Sequence, residues 1–154
     1  MAGPMAHSRA RRNPAEGRAP VRRAAASVGV LFLLVGVLGF LPGITSDYGD
    51  LRLAGHQSGA RLFGVFQVSV LHNLLHLAFG VAGLAFARTV AGARAYLVGG
   101  GAGYLVLWLY GLAVDHRTGA NVIPVNPADG WLHLGLGLGM VTLGLLTGRV
   151  AGRR

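Results

Sequence analysis

Four long apolar runs dominate the sequence, and they constrain its fold more than any other feature. The runs cover approximately residues 24–41, 66–87, 95–114 and 131–147, and Arg or Asp residues bound most of their ends. Each run is close to the roughly 20 apolar residues that a membrane-spanning helix needs. Because lipid offers the backbone no hydrogen-bond partners, such runs cross a membrane as helices. The sequence therefore predicts an all-α, integral membrane bundle of four transmembrane helices.

The composition agrees with a membrane protein. Of the 154 residues, 53% are hydrophobic and only 12% are charged, which is about half the charged share of a water-soluble domain. The absence of Cys excludes disulfides, thiolate metal sites and a Cys nucleophile. The 14 basic residues are all Arg, which together with the Ala, Gly and Val content suggests a bacterial origin. No soluble domain is left to use the net charge of +9 for nucleic acid, so we expect no such partner.

The distribution of arginine predicts the orientation of the helices. Eleven arginines fall in the N-terminal tail, the loop between the second and third runs, and the C-terminal tail: Arg9, Arg11, Arg12, Arg18, Arg22, Arg23, Arg88, Arg94, Arg149, Arg153 and Arg154. The opposite side holds only Arg52, Arg61 and Arg117. Basic residues accumulate on the cytoplasmic side of membrane proteins. We therefore predict that both termini lie in the cytoplasm and that the bacterial cytoplasmic membrane is the location.

The tails differ from the apolar runs in composition. Residues 1–23 are rich in Arg, Pro, Gly and Ala without apolar periodicity, which predicts a disordered cytoplasmic tail. Residues 148–154 form a short basic tail. The first run is longer than the apolar region of a usual signal peptide, and no A-x-A site follows it. We therefore expect a retained first helix.

Polar side chains interrupt the second and fourth runs on one helical face. His72 and His76 lie about 40° apart on a helix, with Asn73 beside them. Asp129 and His133 are also four residues apart. Polar groups in a membrane helix usually face the bundle interior. We predict that these five residues form a polar cluster or ligand site if the two helices bring them together.

The second and fourth runs also resemble each other. Leu75 to Gly80 aligns with Leu132 to Gly137 at an offset of 57 residues, which places His76 against His133 and His72 against Asp129. The first and third runs align poorly, so a duplication of two helical hairpins is suggested rather than required. Small residues at helical spacing further predict close helix packing. The glycines predicted to pack are Gly80, Gly83, Gly99, Gly103, Gly135 and Gly139.

Several short motifs resemble one known family. They are Phe40-Leu41-Pro42-Gly43-Ile44-Thr45, Phe66-Gln67-Val68-Ser69, Leu71-His72-Asn73-Leu74-Leu75-His76 and Asp129-Gly130-Trp131-Leu132-His133. Together they resemble the bacterial membrane-protein family called domain of unknown function 4383, over roughly residues 24–147. The resemblance implies four transmembrane helices. It implies no activity, ligand or catalytic residue.

Three classes of function fit these residues. The first is a non-enzymatic membrane module in which the His, Asn and Asp side chains join the helices by hydrogen bonds. The second is a haem or divalent-metal protein that uses His76 and His133, or a metal site of His72, His76, Asp129 and His133. The third is a proton relay or small transporter, which would require a homo-oligomer. Without a catalytic motif, we expect no enzymatic activity and no cofactor, with the lipid bilayer as the main partner.

Overall fold

The computed structural model of the chain is all-α apart from three very short strands. It describes residues 14–149, and the side chains of residues 20–147. The helices are α1 (Pro14–Leu38), α2 (Val70–Phe86), α3 (Val90–Ala113) and α4 (Pro127–Arg149). Between α1 and α2 lie β1 (Thr45–Ser46), a 3-10 helix (Tyr48–Asp50), β2 (Arg61–Leu62) and β3 (Phe66–Gln67). The strands form one antiparallel sheet in the order β1-β2-β3.

Three of the four helices are long and apolar enough to cross a membrane. These spans are Pro20–Leu38, Val90–Ala113 and Pro127–Thr147. The remaining helix, α2, is apolar but has 17 residues. At about 1.5 Å per residue it is about 25 Å long, slightly less than the hydrocarbon thickness of about 30 Å.

The helices begin earlier than predicted, with one exception. α1 begins at Pro14 rather than Ala24, so residues 14–23 of the predicted disordered tail are helical. α3 and α4 begin at Val90 and Pro127 because the side chains of Thr89 and Asn126 accept backbone hydrogen bonds from the first turns. The predicted disorder of residues 1–13 and the arginines Arg153 and Arg154 lie outside the described residues.

The exception is α2, whose predicted span began at residue 66. Instead, β2 and β3 form a hairpin around a turn in which Phe63 and Gly64 have φ angles of 54° and 71°. Positive φ is incompatible with a continuing helix. α2 then begins after Ser69, whose hydroxyl accepts a hydrogen bond from the backbone N–H of His72. The apolar character of residues 62–69 thus reflects a packed hairpin.

Two helical hairpins form the bundle, and a pair of glycines holds each one together. α1 packs mainly against α2, and α3 packs mainly against α4. A Cβ atom on Gly80 would lie 2.7 Å from the carbonyl oxygen of Gly29, and one on Gly101 would lie 2.9 Å from that of Gly137. Neither crossing has room for a side chain. Both hairpins therefore depend on direct backbone contact.

The predicted packing glycines divide into two groups. Gly80 and Gly83 are buried against α1, as expected. The prediction is wrong for Gly99, Gly103, Gly135 and Gly139, which are exposed and have no neighbouring element within 4 Å of a Cβ position among the described residues. Regular spacing alone does not decide packing, because it occurs on every face of a glycine-rich helix.

The loops at one end of the bundle are joined into a single cap, defined as residues 39–69 and 114–126. The backbone N–H of Gly55 donates to the carbonyl of Val122 at 2.8 Å. The Asn126 side chain donates to the carbonyl of Val65, also at 2.8 Å. At the other end, the Arg22 Nε donates to the carbonyl of Ala87, the C-cap of α2, at 2.9 Å. Each hairpin is therefore tied at the cap to the other.

Candidate functional site

The polar face of α2 points into the bundle. His72, Asn73 and His76 are buried together with Gly80 and Gly83. On the opposite face, Leu74 and Val81 are 50% and 60% exposed. This arrangement follows from the 3.6-residue period of the helix, and it confirms the predicted inward face.

The first turn of α4 is organised around Asp129. Its Oδ2 accepts hydrogen bonds from the backbone N–H groups of Asn126, at 2.8 Å, and Gln67, at 3.2 Å. In return, Asn126 Oδ1 accepts from the N–H of Asp129 at 3.0 Å. The reciprocal pair is a capping box. Asp129 therefore acts as a helix cap that also fixes β3, and its structural partners are backbone groups rather than histidines.

Three histidines from α2 and α4 meet beside this cap. The ring centroids of His72 and His76 are 4.6 Å apart, and those of His72 and His133 are 6.4 Å apart. The three residues, here called the histidine cluster, are buried, with exposed fractions of 5%, 8% and 3% for His72, His76 and His133. The structure thus brings together three of the five predicted site residues through their rings.

Aromatic side chains from α1 and α3 surround the cluster. The Phe32 ring lies 5.5 Å from that of His76, and the Tyr104 ring lies 5.4 Å from that of His133. Phe32 and Tyr104 also stack on each other at 5.2 Å. All four helices therefore contribute to the walls of the site.

The histidine cluster carries hydrogen-bonding atoms that are not used. Among the described side chains, the Nδ1 atoms of His72, His76 and His133 are buried without a hydrogen-bond partner. A buried polar atom without a partner costs about 1–3 kcal/mol. Three such atoms in one place are unusual for a native protein, in which nearly all buried polar groups are paired.

Two cavities adjoin the cluster. The larger, about 510 Å³, lies among α2, α3 and α4 and is lined by all three histidines with Phe79 and Tyr104. The smaller, about 170 Å³, lies between α1, the β2–β3 hairpin and α4, and the histidines and Asp129 border it. The cluster therefore forms a wall between two spaces. A volume of several hundred Å³ with apolar walls and a few polar groups is typical of a small-molecule site.

Asn73 is separate from this site. Its buried amide packs against Gly39 at the interface of α1 and α2, and its Nδ2 and Oδ1 are also unpartnered among the described residues. The carbonyl oxygen of Asn73 lies close to Gly36. Asn73 thus belongs to hairpin packing, and it lines neither cavity.

A family model covers all of these elements. The model named Domain of unknown function (DUF4383) matches residues 22–146, which include α2, α3, most of α1 and α4, the cap and the histidine cluster. The chain belongs to the DUF4383 family. Searches of curated proteins and of solved structures gave no match.

The motifs that resemble the DUF4383 family meet at one end of the bundle. Thr45 closes the end of α1 by donating its hydroxyl hydrogen bond to the carbonyl of Leu38. Gln67 and Ser69 lead into the first turn of α2, and Asp129 binds the backbone of Gln67. The motif residues therefore build the cap and position the histidines below it.

The metal alternatives can be compared with this geometry. Within residues 14–149, no group of three or more His, Asp or Glu side chains is arranged to hold a metal ion. The pair His76 and His133 was the expected haem ligand set. The His133 ring instead has His72 and Tyr104 as its aromatic neighbours. Haem ligation by His76 and His133 stays a prediction.

Some residues of the site were missed at the level of sequence. Asn126, before Pro127 and three residues before Asp129, carries the signature of a capping box and could have been found. Tyr104 and Phe79 could not, because an aromatic residue in an apolar run gives no sign of the face it occupies. Gln67 contributes mainly its backbone N–H, for which no side-chain signal exists.

Proposed function

We propose that the protein crosses the bacterial cytoplasmic membrane four times, with both termini in the cytoplasm. The arginine distribution supports this orientation, since it leaves the cap on the outer side. The contact between Arg22 and Ala87 supports α2 as a fourth span. Because Arg22 lies near the start of the α1 span, α2 returns to the level at which α1 enters. Seventeen residues are also at the short end of the range for spanning helices.

Reporter fusions test this topology. Fusions after Arg94 and Arg154 should report a cytoplasmic position, and a fusion after Ser58 should report an external one. If α2 does not cross, the reporters after Ser58 and Arg94 will lie on the same side of the membrane. An external signal from the fusion after Arg154 would contradict the cytoplasmic C-terminus.

Within this membrane protein, we propose that the histidine cluster and the larger cavity bind a small molecule without chemical conversion. The observation that carries this function is that three buried histidines line about 510 Å³ of space. Imidazole rings donate and accept hydrogen bonds, so they offer a ligand polar contacts in an otherwise apolar space. No catalytic motif accompanies them in the sequence, so we propose binding rather than catalysis.

The alternative of a purely structural polar cluster has less support. Polar side chains join membrane helices by hydrogen bonds between helices. The Nδ1 atoms make none, and Asp129 uses its carboxylate on backbone groups. The Asp129 carboxylate therefore joins elements of the cap, and the Nδ1 atoms of the histidines contribute no such bond.

A haem is the second candidate ligand. Its support is the pair His72 and His133, whose rings come from different helices and have cavities on both sides. Imidazole nitrogens are common ligands of haem iron, and both histidines line the larger cavity. An absorption spectrum of the purified protein decides this candidate, because bound haem gives an intense Soret band.

Extraction of the purified protein tests small-molecule binding. Mass spectrometry of the solvent extract should detect one species in near-stoichiometric amount. The double variant His72→Leu/His133→Leu should lose it, whereas Gly139→Leu should keep it because Gly139 is exposed and outside both cavities. Equal retention by the histidine variant would contradict the site.

A further inference from the structure

The larger cavity offers hydrogen bonds but little fixed charge. Its lining contains no Arg, Lys, Asp or Glu side chain. The Asp129 carboxylate borders the smaller cavity instead and is held by two backbone N–H groups. An ionised ligand would therefore meet no opposite charge that could offset the loss of its hydration.

The histidines suit a neutral partner. Three imidazolium rings with centroids only 4.6 Å and 6.4 Å apart would repel one another strongly away from water. As neutral rings, each provides one N–H donor and one acceptor nitrogen. Such groups recognise carbonyl and hydroxyl oxygens. The hydrogen-bonding end of the ligand should consequently be uncharged and oxygen-bearing.

One wall of the larger cavity is flat and open. Gly99 and Gly103 line it, both are exposed, and no neighbouring element lies within 4 Å of their Cβ positions among the described residues. Leu75, on the facing helix α2, is 44% exposed. The cavity therefore opens sideways between α2 and α3. In a chain that spans the membrane, this opening faces lipid rather than water.

We propose that the larger cavity binds a neutral, lipid-soluble molecule with a ring-sized, oxygen-bearing head and an apolar tail. The inference rests on the proposed binding function and adds the class of ligand. The head hydrogen-bonds to the histidine cluster beside Phe79 and Tyr104, which line the same cavity. The tail passes over Gly99 and Gly103 into the bilayer. Entry and exit occur laterally, without passage through the cap.

Three probes with the same decyl tail test whether the ligand needs an oxygen-bearing head and whether that head must be uncharged. They are 2-decyl-1,4-benzoquinone, which has two carbonyl oxygens, decylbenzene, which has none, and 4-decylbenzoate, which is anionic. Binding to the full-length protein in lipid nanodiscs is measured by calorimetry, after subtraction of partition into empty nanodiscs. The quinone should bind at least about tenfold more tightly than either of the others, the effect of about one net hydrogen bond.

Two glycine variants test the location. Gly103→Leu fills the opening with a side chain that has room to fold, so it should weaken quinone binding by about tenfold or more. Gly139→Leu adds the same side chain to an exposed position of α4 outside the cavity and should leave binding unchanged. Equal weakening by both variants, or by neither, would place the site elsewhere.

The remaining outcomes distinguish the two proposals. Decylbenzene that binds as tightly as the quinone would show apolar filling only, and tighter binding of the benzoate would show an anion site. Either result overturns the ligand class. If no probe binds but the extract of the purified protein still contains a histidine-dependent species, the ligand class is wrong and the binding function stands. If the extract is also empty, both proposals fail.

Discussion

Asp129 and His72 occupy corresponding positions on the aligned helices α4 and α2, but their side chains are bonded very differently. The Asp129 carboxylate accepts two backbone hydrogen bonds and closes a capping box with Asn126. His72 is equally buried, but its Nδ1 has no partner among the described residues. Two buried polar residues of the same bundle thus differ in whether their side chains are hydrogen-bonded. Asp129 holds the cap, whereas the Nδ1 of His72 contributes no hydrogen bond to the described structure.

Both helical hairpins are held by a close contact between two glycines, and disrupting that contact should have the largest effect on stability. Gly80→Leu and Gly137→Leu each place a side chain where backbone atoms lie within 3.0 Å. We expect each to lower the free energy of unfolding in detergent by about 3 kcal/mol. Val81→Leu and Gly139→Leu are the matched controls on the exposed faces. Val81→Leu should change the free energy of unfolding by less than about 0.5 kcal/mol, and Gly139→Leu should not lower it, because Leu is a better helix former than Gly. Losses as large for the controls would remove the special role of the glycine crossings.

Removal of the Asp129 carboxylate should have the next largest effect on the free energy of unfolding. Asp129→Ala leaves the N–H groups of Gln67 and Asn126 without their acceptor, so we expect a loss of about 2 kcal/mol in unfolding free energy. Asp129→Asn keeps one acceptor oxygen and should lose roughly half as much. If the two variants are equally damaging, the carboxylate charge matters more than its hydrogen bonds.

A double-mutant cycle tests whether Asn126 and Asp129 stabilise the helix end as a pair. Asn126→Ala and Asp129→Ala each break the reciprocal hydrogen bonds of the capping box. The double variant should therefore be less damaging than the sum of the two, with a coupling of about 0.5–1 kcal/mol. Additive losses in the unfolding measurement would mean that the two residues act independently.

The smallest effect on stability should come from the histidines. His72→Leu replaces a buried ring whose Nδ1 has no partner among the described residues by an apolar side chain, so the free energy of unfolding should stay within about 0.5 kcal/mol or rise. His133→Leu should behave in the same way. A loss of about 2 kcal/mol, like that expected for Asp129→Ala, would show that the histidines stabilise the bundle as much as Asp129 does.

Helical periodicity explains what could be predicted. The buried face of α2 and the buried series Asp129, His133, Gly137, Met140 and Gly144 on α4 both follow from one polar residue and a 3.6-residue repeat. The packing glycines follow from the same rule, since Gly80 and Gly137 share a face with a buried histidine. Gly99 and Gly135 have a regular spacing, but their face is exposed. The helix face on which a glycine lies therefore predicts its packing better than the spacing between glycines does.

The cap could not be predicted for a physical reason. Its strands have two residues each, too few for any alternation of polar and apolar residues to show. Phe63 also adopts a positive φ that is uncommon outside glycine, so nothing in its side chain marks the turn. The convergence of His72 and His133 depends on how the two hairpins meet, which local patterns do not encode.

The hydrogen bond between Gln67 and Asp129 also has a consequence for how the protein is made. The two residues are 62 positions apart in the chain. A ribosome that adds 5–20 residues per second reaches Asp129 about 3–12 s after Gln67. During this interval the backbone N–H of Gln67 lacks its acceptor on α4. This hydrogen bond of the cap therefore forms only after the start of α4 has been made.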